Sequence, residues 1–395
     1  MKNEKAVLIR FNLLQVLYWC GFASMASFCS AFMLYKGMSN THLGIVMALY
    51  MLSSFVGQLF WSGLCDKLRT NRNFFILNEV FVLVVYWLIW LFSDNFTMLY
   101  VFYPLLGFVL VPLSSNLDAW VLKCFAHRPE VYARSKGWSS GGFAIFMLVY
   151  GKLIDLWGYQ IMPLFGTVFI GITVVVALLQ PDAPVSEDKK QKDVQLKDIG
   201  KLAKSFVFVF IVILWMCIGF AASPIYNMKI VVLNSVGGDV SHQGYDSFFT
   251  CFFQLPFFFL AGQLRKIPQH IRLLVGATGA LAMAVVDLLA RTPTAVIFGS
   301  LLWGVGYSII FPTVREIVED TVDPAVKTTA HGICDAVNGS LAGIISLLYV
   351  GGLIDKAGTA PVFIICIVFS AVALLLCVLY SVRTVRNSRK QRSAS

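Results

Sequence analysis

Two charged side chains lie deep inside long apolar stretches of the sequence, on either side of one polar turn. Asp118 precedes the turn and Lys136 follows it, each about nine residues from a centre near His127. Pro129 disfavours helix at the residue before it, which supports a turn there. At a helical rise of about 1.5 Å per residue, both charges would lie roughly 13 Å from the same membrane face. The spacing therefore predicts that the two side chains face each other.

A charge inside a membrane segment costs several kcal/mol unless it is paired or lines a wet cavity. A carboxylate and an ammonium group at one depth are therefore candidates for a substrate-binding or ion-coupling site. The alternative is a structural ion pair that pins two helices together. Both interpretations stay open at this point, and the organisation of the rest of the chain favours the functional one.

The composition is that of an all-α membrane protein. The 395 residues are 58% hydrophobic and only 13% charged, whereas a soluble domain is about one quarter charged. The nine cysteines are scattered through apolar segments, and no CxxC or Cys/His cluster occurs, so neither disulfides nor a metal site is expected. No cofactor is expected either. The net charge of +10 does not indicate nucleic-acid binding, because the placement of the basic residues explains it.

Twelve apolar stretches are long enough to cross a hydrocarbon core of about 30 Å. The one long polar connector, 181–202, divides the chain into an N-terminal bundle, 1–180, and a C-terminal bundle with a basic tail, 203–395. The predicted architecture is twelve transmembrane helices in two pseudo-symmetric six-helix bundles. The predicted spans are 10–34, 42–65, 74–93, 97–124, 131–156, 160–180, 203–227, 243–264, 272–290, 293–315, 327–353 and 358–381.

Lysine and arginine set the predicted orientation. If the N-terminus is inside, the inner segments carry 25 of the 31 basic residues, the outer segments carry five, and Lys136 lies within the membrane. Such a bias places both termini and the 181–202 connector in the cytoplasm. The expected location is therefore the cytoplasmic membrane, with the lipid bilayer as a partner.

The two halves share a repeat at an offset of 200 residues. Gly151-Lys-Leu-Ile-Asp155 matches Gly351-Gly-Leu-Ile-Asp355, and Pro112 matches Pro312. One offset that aligns both matches with the span count indicates duplicated halves. Two parallel six-span halves are typical of secondary transporters that rock around a central site.

Two motifs resemble a known family. After the second span, Gly63-Leu-Cys-Asp66-Lys67 and a basic cluster ending at Arg72 resemble the loop motif of the major facilitator superfamily. The segment from Tyr132 to Gly142 resembles the signature of its lactose-permease-like branch, which contains oligosaccharide and nucleoside proton symporters. Asp118 falls where that branch keeps an acid paired with the second basic residue of the signature, here Lys136. The loop motif departs from the family at Ser62 and Arg69, which stand where glycines are usual.

The resemblance implies roles for several residues. Asp66, Lys67 and Arg72 would form an inner gate that holds the halves together in the outward-facing state; the alternative is an ordinary basic loop. Lactose permease resemblance also implies acids in spans seven and eight and a histidine and glutamate in span ten. The stretch of span ten from Leu301 to Pro312 has no ionisable residue except Tyr307. Gln254 stands where relatives often carry a glutamate. Aromatic side chains placed near a central cavity by analogy are Tyr18, Trp19, Trp138 and Tyr226.

Span eleven offers a replacement for the missing coupling residues. His331, Asp335 and Asn338 are spaced i, i+4 and i+7, which puts them on one helix face. A histidine and a carboxylate four residues apart can relay a proton near neutral pH. The alternative is a polar face that bonds to neighbouring helices. Asp287 and Arg291, also spaced i, i+4, are expected to form a structural or snorkelling pair near the outer end of span nine.

The sequence predicts a secondary transporter rather than an enzyme. The leading hypothesis is a symporter, coupled to protons through Asp118 or through His331 and Asp335, for a small sugar or nucleoside. Its binding residues would be Asp118, Lys136, Asn116, Trp138, Tyr18, Tyr226, Gln254 and Asn338. A drug or amphipath exporter with a mostly aromatic cavity is the alternative, and a non-transporting sensor is a third hypothesis. The expected partners are the solute and H+, with no nucleic acid and a monomeric chain.

Overall fold

The computed structural model describes residues 2–125, 129–183, 202–323 and 326–394, and the regular structure within these ranges is helical throughout. This agrees with the all-helical fold that the composition predicts. The first half contains α1 (Lys2–Met25), α2 (Cys29–Tyr35), α3 (Asn40–Leu68), α4 (Arg72–Leu91), α5 (Phe96–Cys124), α6 (Pro129–Trp157) and α7 (Ile161–Leu178). The second contains α8 (Phe206–Asn227), α9 (Lys229–Asn234), α10 (Val240–Phe259), α11 (Ala261–Leu264), α12 (Gln269–Leu289), α13 (Pro293–Thr321), α14 (Lys327–Asp335), α15 (Ala342–Ala357) and α16 (Ala360–Ala394).

Eleven helical segments of the described residues are long and apolar enough to cross a membrane, judged by length and composition. The first of them joins α1 and α2 over Glu4–Tyr35. The predicted span 243–264 corresponds to α10 and the short α11, which are not among the eleven. Its first turns carry polar side chains, namely Ser241, His242, Gln243 and Asp246.

Short polar residues and glycines set the ends of the helices. The Ser39 hydroxyl accepts a hydrogen bond from the His42 backbone N–H, and the Asn95 side chain caps α5 in the same way, satisfying N–H groups that have no partner within the helix. Gly158 and Gly358 follow α6 and α15 with φ of +77° and +75°. Glycine adopts this left-handed conformation without steric cost, so it ends a helix cleanly.

One helix ends without the glycine that this conformation favours. Arg69 directly follows α3 and has φ of +53°, the one positive φ of a non-glycine residue in the part of the chain described here. It occupies the position where the loop motif usually has glycine. The left-handed conformation costs an L-residue roughly 1–2 kcal/mol, so this departure from the motif strains the backbone.

The chain divides into two compact units. Unit 1 comprises Met1–Lys189 and Gly238–Phe248, and unit 2 comprises Lys190–Gly237 and Phe249–Ser395. In unit 1, α1 packs on α6 and α7, and α5 packs on α3 and α4. Gly107 of α5 lets α3 approach so closely that a Cβ there would lie 2.6 Å from the Tyr50 carbonyl oxygen. Trp120, Tyr86 and Tyr150 are fully buried in this unit.

In unit 2, α12 packs on α13 and α16, and α8 packs on α15 and α16. Facing glycines bring α12 and α13 together, since a Cβ on Gly279 would lie 2.9 Å from the Gly306 Cα. Between α14 and α15 the chain forms a π-helical segment, Ala336–Leu341. Single π turns inside α-helices often lie at functional sites, and this one lies within the predicted span eleven.

Candidate functional site

The structure brings Asp118 of α5 and Lys136 of α6 into direct contact. Lys136 Nζ lies 2.7 Å from Asp118 Oδ2, and the two side chains are 31% and 21% exposed. Both belong to helices long and apolar enough to span a membrane. The ion pair is therefore neither sealed in the protein interior nor fully hydrated, which is the environment expected of a charged pair that borders a wet cavity.

Three further side chains surround the ion pair. Gln15 Nε2 of α1 donates to Asp118 Oδ1 at 3.0 Å, and the Tyr132 hydroxyl donates to Asp118 Oδ2 at 3.2 Å. The Lys136 ammonium lies 5.7 Å from the centre of the Trp19 ring, within the range of a cation–π contact. The carboxylate thus has two neutral donors besides the ammonium, so it keeps hydrogen bonds when Lys136 moves away.

The same side of α1 carries polar atoms without partners. Asn12 Oδ1, Gln15 Oε1 and Trp19 Nε1 are buried and have no hydrogen-bond partner within the described part of the chain. Gln15 is fully buried. Buried polar groups are nearly always hydrogen-bonded, so a cluster of unsatisfied donors and acceptors beside an ion pair indicates a place for a polar ligand or water.

Other predicted binding residues of unit 1 have structural contacts. The Tyr18 hydroxyl donates to the Leu110 carbonyl at 3.0 Å and is buried. Asn116 accepts from Asn71 Nδ2 at 2.5 Å and donates to the Asn71 carbonyl at 3.0 Å. Trp138, on the same helix as Lys136, is 62% exposed. No hydrogen bond joins any of these three to Asp118 or Lys136 among the described residues, so their binding roles stay predictions.

The predicted binding residues of unit 2 have separate surroundings. Gln254 packs against Gly304, whose added Cβ would lie 3.4 Å from Gln254 Cγ, and Tyr226 is 64% exposed. Asn338 Nδ2 donates to the Trp215 carbonyl at 2.8 Å.

His331 and Asp335 also have separate partners. His331 Nε2 lies 2.9 Å from Glu319 Oε1, and Asp335 Oδ2 lies 2.8 Å from the Arg315 guanidinium. Both partners belong to α13. Each of the two predicted relay residues is therefore anchored to the end of α13 rather than bonded to the other, and their role in coupling stays a prediction.

The predicted gate residues lie near the end of α3 and the start of α4. The side chain of Asp66 lies outside the described residues, and Lys67 is exposed. Arg72 binds the end of α7, since its backbone N–H donates to Asp182 Oδ1 at 3.0 Å and its guanidinium donates to the Gln180 carbonyl at 3.2 Å. Arg72 therefore ties two helices of unit 1 together, and the gating role stays a prediction.

Comparison with known proteins resolves the family. The model of the MFS_1 like family matches residues 8–383, which is nearly the whole chain. The chain belongs to the MFS_1 like family. The resemblance to the major facilitator superfamily is thereby confirmed, and the protein is a membrane transporter rather than an enzyme.

Solved transporters share the fold of this MFS_1 like chain. A point mutant of the nucleoside transporter NupG has a TM-score of 0.82 at 13% identity, with 95% of this chain and 99% of that chain covered. An auto inhibited POT family peptide transporter has a TM-score of 0.76 at 10% identity, with 96% and 97% covered. At these identities the similarity establishes the fold alone. No curated protein matches the sequence.

An ion pair in unit 2 differs from the sequence-based prediction. Asp287 lies 3.7 Å from Lys229 Nζ, which also donates to the Ser300 hydroxyl at 2.7 Å. The expected pairing of Asp287 with Arg291 is therefore wrong. Lys229 is only 7% exposed, so its buried ammonium group requires a negatively charged partner more strongly than Arg291 at the helix end does. The i, i+4 rule considers partners on the same helix only, so it does not identify Lys229.

Two charged groups missed in the sequence are also buried. Arg272 is 4% exposed and its guanidinium holds both oxygens of Glu316, at 2.8 and 2.9 Å. Glu79, in the middle of α4, is 2% exposed. Glu79 lies inside a long apolar run, the same signal that singles out Asp118 and Lys136, so it was detectable as a lone acid within the predicted span 74–93. Arg272 begins the predicted span 272–290 after a basic stretch, so its burial has no such signal.

Proposed function

We propose that this chain is a secondary active transporter of the cell membrane, which moves a small sugar- or nucleoside-class solute by alternating access coupled to protons. In this proposal twelve spans form two six-helix bundles and both termini face the cytoplasm, as the distribution of basic residues predicts. The substrate binds at the Asp118–Lys136 pair. Among the predicted coupling residues Asp118 lies at this site, while His331 and Asp335 lie on unit 2.

The observation that carries the proposal is the half-exposed ion pair beside unsatisfied polar atoms. Hydroxyl groups of a sugar or a ribose both donate and accept, and the site offers the matching groups: Gln15 Oε1 accepts, Trp19 Nε1 donates, and Asp118 and Lys136 provide charged partners. Hydrogen bonds to charged groups are the stronger ones. The Trp19 ring lies beside them and supplies a flat apolar face of the kind that ligand sites combine with a few polar groups.

The nucleoside class gains support from one structural relative. The solved structure with a TM-score of 0.82 is a nucleoside transporter, and the branch that the Tyr132–Gly142 segment resembles contains nucleoside and oligosaccharide symporters. Uridine and lactose are therefore the first probes for binding and uptake. Preferential extrusion of cationic dyes, with no uptake of either probe, would favour the export hypothesis instead.

The decisive experiment removes the two charges separately and together. Removing one member of a buried pair leaves the other without compensation, which costs roughly 3–5 kcal/mol at a fully buried site and less at this half-exposed one. We therefore expect Asp118→Ala and Lys136→Ala each to abolish uridine uptake into proteoliposomes. The double variant separates a structural pair from a substrate site, because no lone charge remains in it.

If the pair binds substrate, the double variant reaches the membrane, unfolds like the parent and still does not bind uridine. Near-parental binding by the double variant would show that the pair is structural. A matched control is Asp94→Ala with Lys36→Ala, which removes an ion pair of 2.7 Å between loops of the same unit, with a carboxylate that is 84% exposed. That control is expected to keep parental uptake, since exposed pairs contribute about 0–1 kcal/mol.

A further inference from the structure

Glu79 is a buried carboxyl group whose Oε1 has no hydrogen-bond partner among the described residues. It lies in α4, inside the segment Arg72–Leu91 that is apolar enough to span a membrane. Its side chain is 2% exposed, and Oε1 is buried with no hydrogen-bond donor in the described residues. No ion pair to Glu79 occurs there either. An isolated carboxylate in an apolar interior is strongly disfavoured, so such a group is held as the neutral acid.

The groups around Glu79 supply no cation. Helix α4 packs on α5 and α7, and α7 contains no titratable side chain between Ile161 and Leu178. Two buried tyrosines, Tyr18 of α1 and Tyr86 of α4, interact electrostatically with Glu79, and the groups that act on these two tyrosines or are acted on by them include Tyr50, Tyr103 and Asp118. None of these groups can carry a positive charge, so they offer the Glu79 carboxylate no compensating cation.

Tyr18 connects Glu79 to the ion-pair site. Its hydroxyl is close enough to both Glu79 and Asp118 for either negative charge to act on it. Tyr18 precedes Trp19 on α1, and Gln15 lies one turn earlier, with its amide on Asp118. A displacement of α1 when a ligand engages Gln15 or Trp19 therefore changes the surroundings of Glu79 as well.

We propose that Glu79 is the residue that binds and releases the coupling proton of this transporter. This rests on the proposed function, because a coupling proton implies transport. The step is a proton transfer alone: the Glu79 carboxylic acid gives its proton to water on one side of the membrane, and the carboxylate takes a proton from water on the other. In the conformation described here, burial keeps the proton on Glu79. Release requires a conformation in which water reaches the carboxyl.

Infrared titration of the purified protein in lipid vesicles tests proton binding directly. The carbonyl stretch of a protonated carboxyl group is read in the parent protein between acidic and strongly alkaline pH. We expect a titrating band that is absent from Glu79→Gln and retained in Asn78→Ala, the neighbouring buried residue, which cannot titrate. If the parent lacks such a band, or if Glu79→Gln keeps it, the proposal is overturned. Glu79→Asp, which keeps the carboxyl, is expected to show a displaced band and serves if Glu79→Gln does not fold.

Transport of uridine provides the second readout. Glu79→Gln resembles the permanently protonated residue, so we expect uridine exchange at parental rates while accumulation driven by a pH gradient falls to the level seen without a gradient. Asn78→Ala is expected to accumulate like the parent. Parental gradient-driven accumulation in Glu79→Gln would contradict the proposal. If the parent itself transports no uridine, the nucleoside assignment fails, and the infrared titration still decides the role of Glu79.

Discussion

The carboxylate of Asp182 caps a helix that begins 110 residues earlier in the chain. Asn71, the residue before α4, provides no side-chain cap. Instead Asp182 Oδ1 accepts from the backbone N–H groups of Asn71 and Arg72, both at 3.0 Å, and Oδ2 accepts from the Thr70 hydroxyl. Removal of the carboxylate in Asp182→Ala would leave two N–H groups at the start of α4 without their acceptor.

The free energy that the Asp182 carboxylate contributes to the start of α4 can be given to an order of magnitude. Loss of a capping acceptor costs about 0.5–2 kcal/mol, and a negative charge at a helix N-terminus contributes about 0.3–1 kcal/mol more. Since Asp182 is only partly buried, solvent screening holds the total to about 1–2 kcal/mol, equivalent to a 5–30-fold change in an opening equilibrium. Hydrogen exchange measured by mass spectrometry should therefore accelerate by about that factor in the first turn of α4, while the centre of α4 stays protected.

The same contact depends on pH. Burial raises the pKa of Asp182, but hydrogen bonds from Arg72, Thr70, Ala183 and Asn71 outweigh it, so the pKa lies below its usual value. A depressed folded-state pKa means that the stabilisation is complete above the unfolded value of about 3.9 and is lost as pH falls through the folded value. Unchanged exchange at the start of α4 in Asp182→Ala, at neutral pH, would refute this account. Asp94→Ala, an exposed carboxylate of the same unit, is the matched control.

Two further substitutions follow from buried charge and backbone strain. Arg272→Ala removes the two-point partner of Glu316, which is 19% exposed and keeps Gln269 beside it, so it should cost roughly 1.5–3 kcal/mol of stability. Arg265 is 72% exposed and 3.6 Å from the same carboxylate, so Arg265→Ala should cost under about 1 kcal/mol. Equal losses in thermal unfolding, followed through the buried thiols, would contradict the assignment. Arg69→Gly removes the left-handed strain after α3 and should raise stability by about 1 kcal/mol, and a lowered melting temperature would show that contacts of the arginine outweigh the strain.

The sequence indicates the membrane class because hydropathy is a property of whole segments. Among the described residues, eleven helical segments are long and apolar enough to cross a membrane. It does not identify α10 as clearly, because polar residues such as Gln243 and Asp246 are buried there among other helices. Composition cannot distinguish a polar side chain that is buried by packing from one in a loop. The two ends of α6 lie at Pro129 and just before Gly158. Backbone preferences of proline and glycine set these boundaries, so the sequence predicts them well.

Pairing across helices is harder to predict than depth. The spacing of Asp118 and Lys136 from a shared turn fixes their common depth, and the structure brings them to 2.7 Å. The same reasoning does not identify Gln15, because α1 reaches the pair from a distant part of the sequence, nor does it identify Lys229 as the partner of Asp287. Which way each helix is turned about its axis depends on packing with several neighbours at once, and a single sequence does not encode that as a local pattern.

The π-helical segment Ala336–Leu341 has an evolutionary consequence. A π turn accommodates one more residue than an α turn over a similar length, so the helix can absorb a one-residue insertion without shifting both of its ends. Gly351 and Asp355, after the π turn, keep the 200-residue correspondence with Gly151 and Asp155, and Pro312, before it, keeps the same offset from Pro112. Insertions and deletions in homologues should therefore be tolerated at this turn, while the outer end of the helix keeps its register.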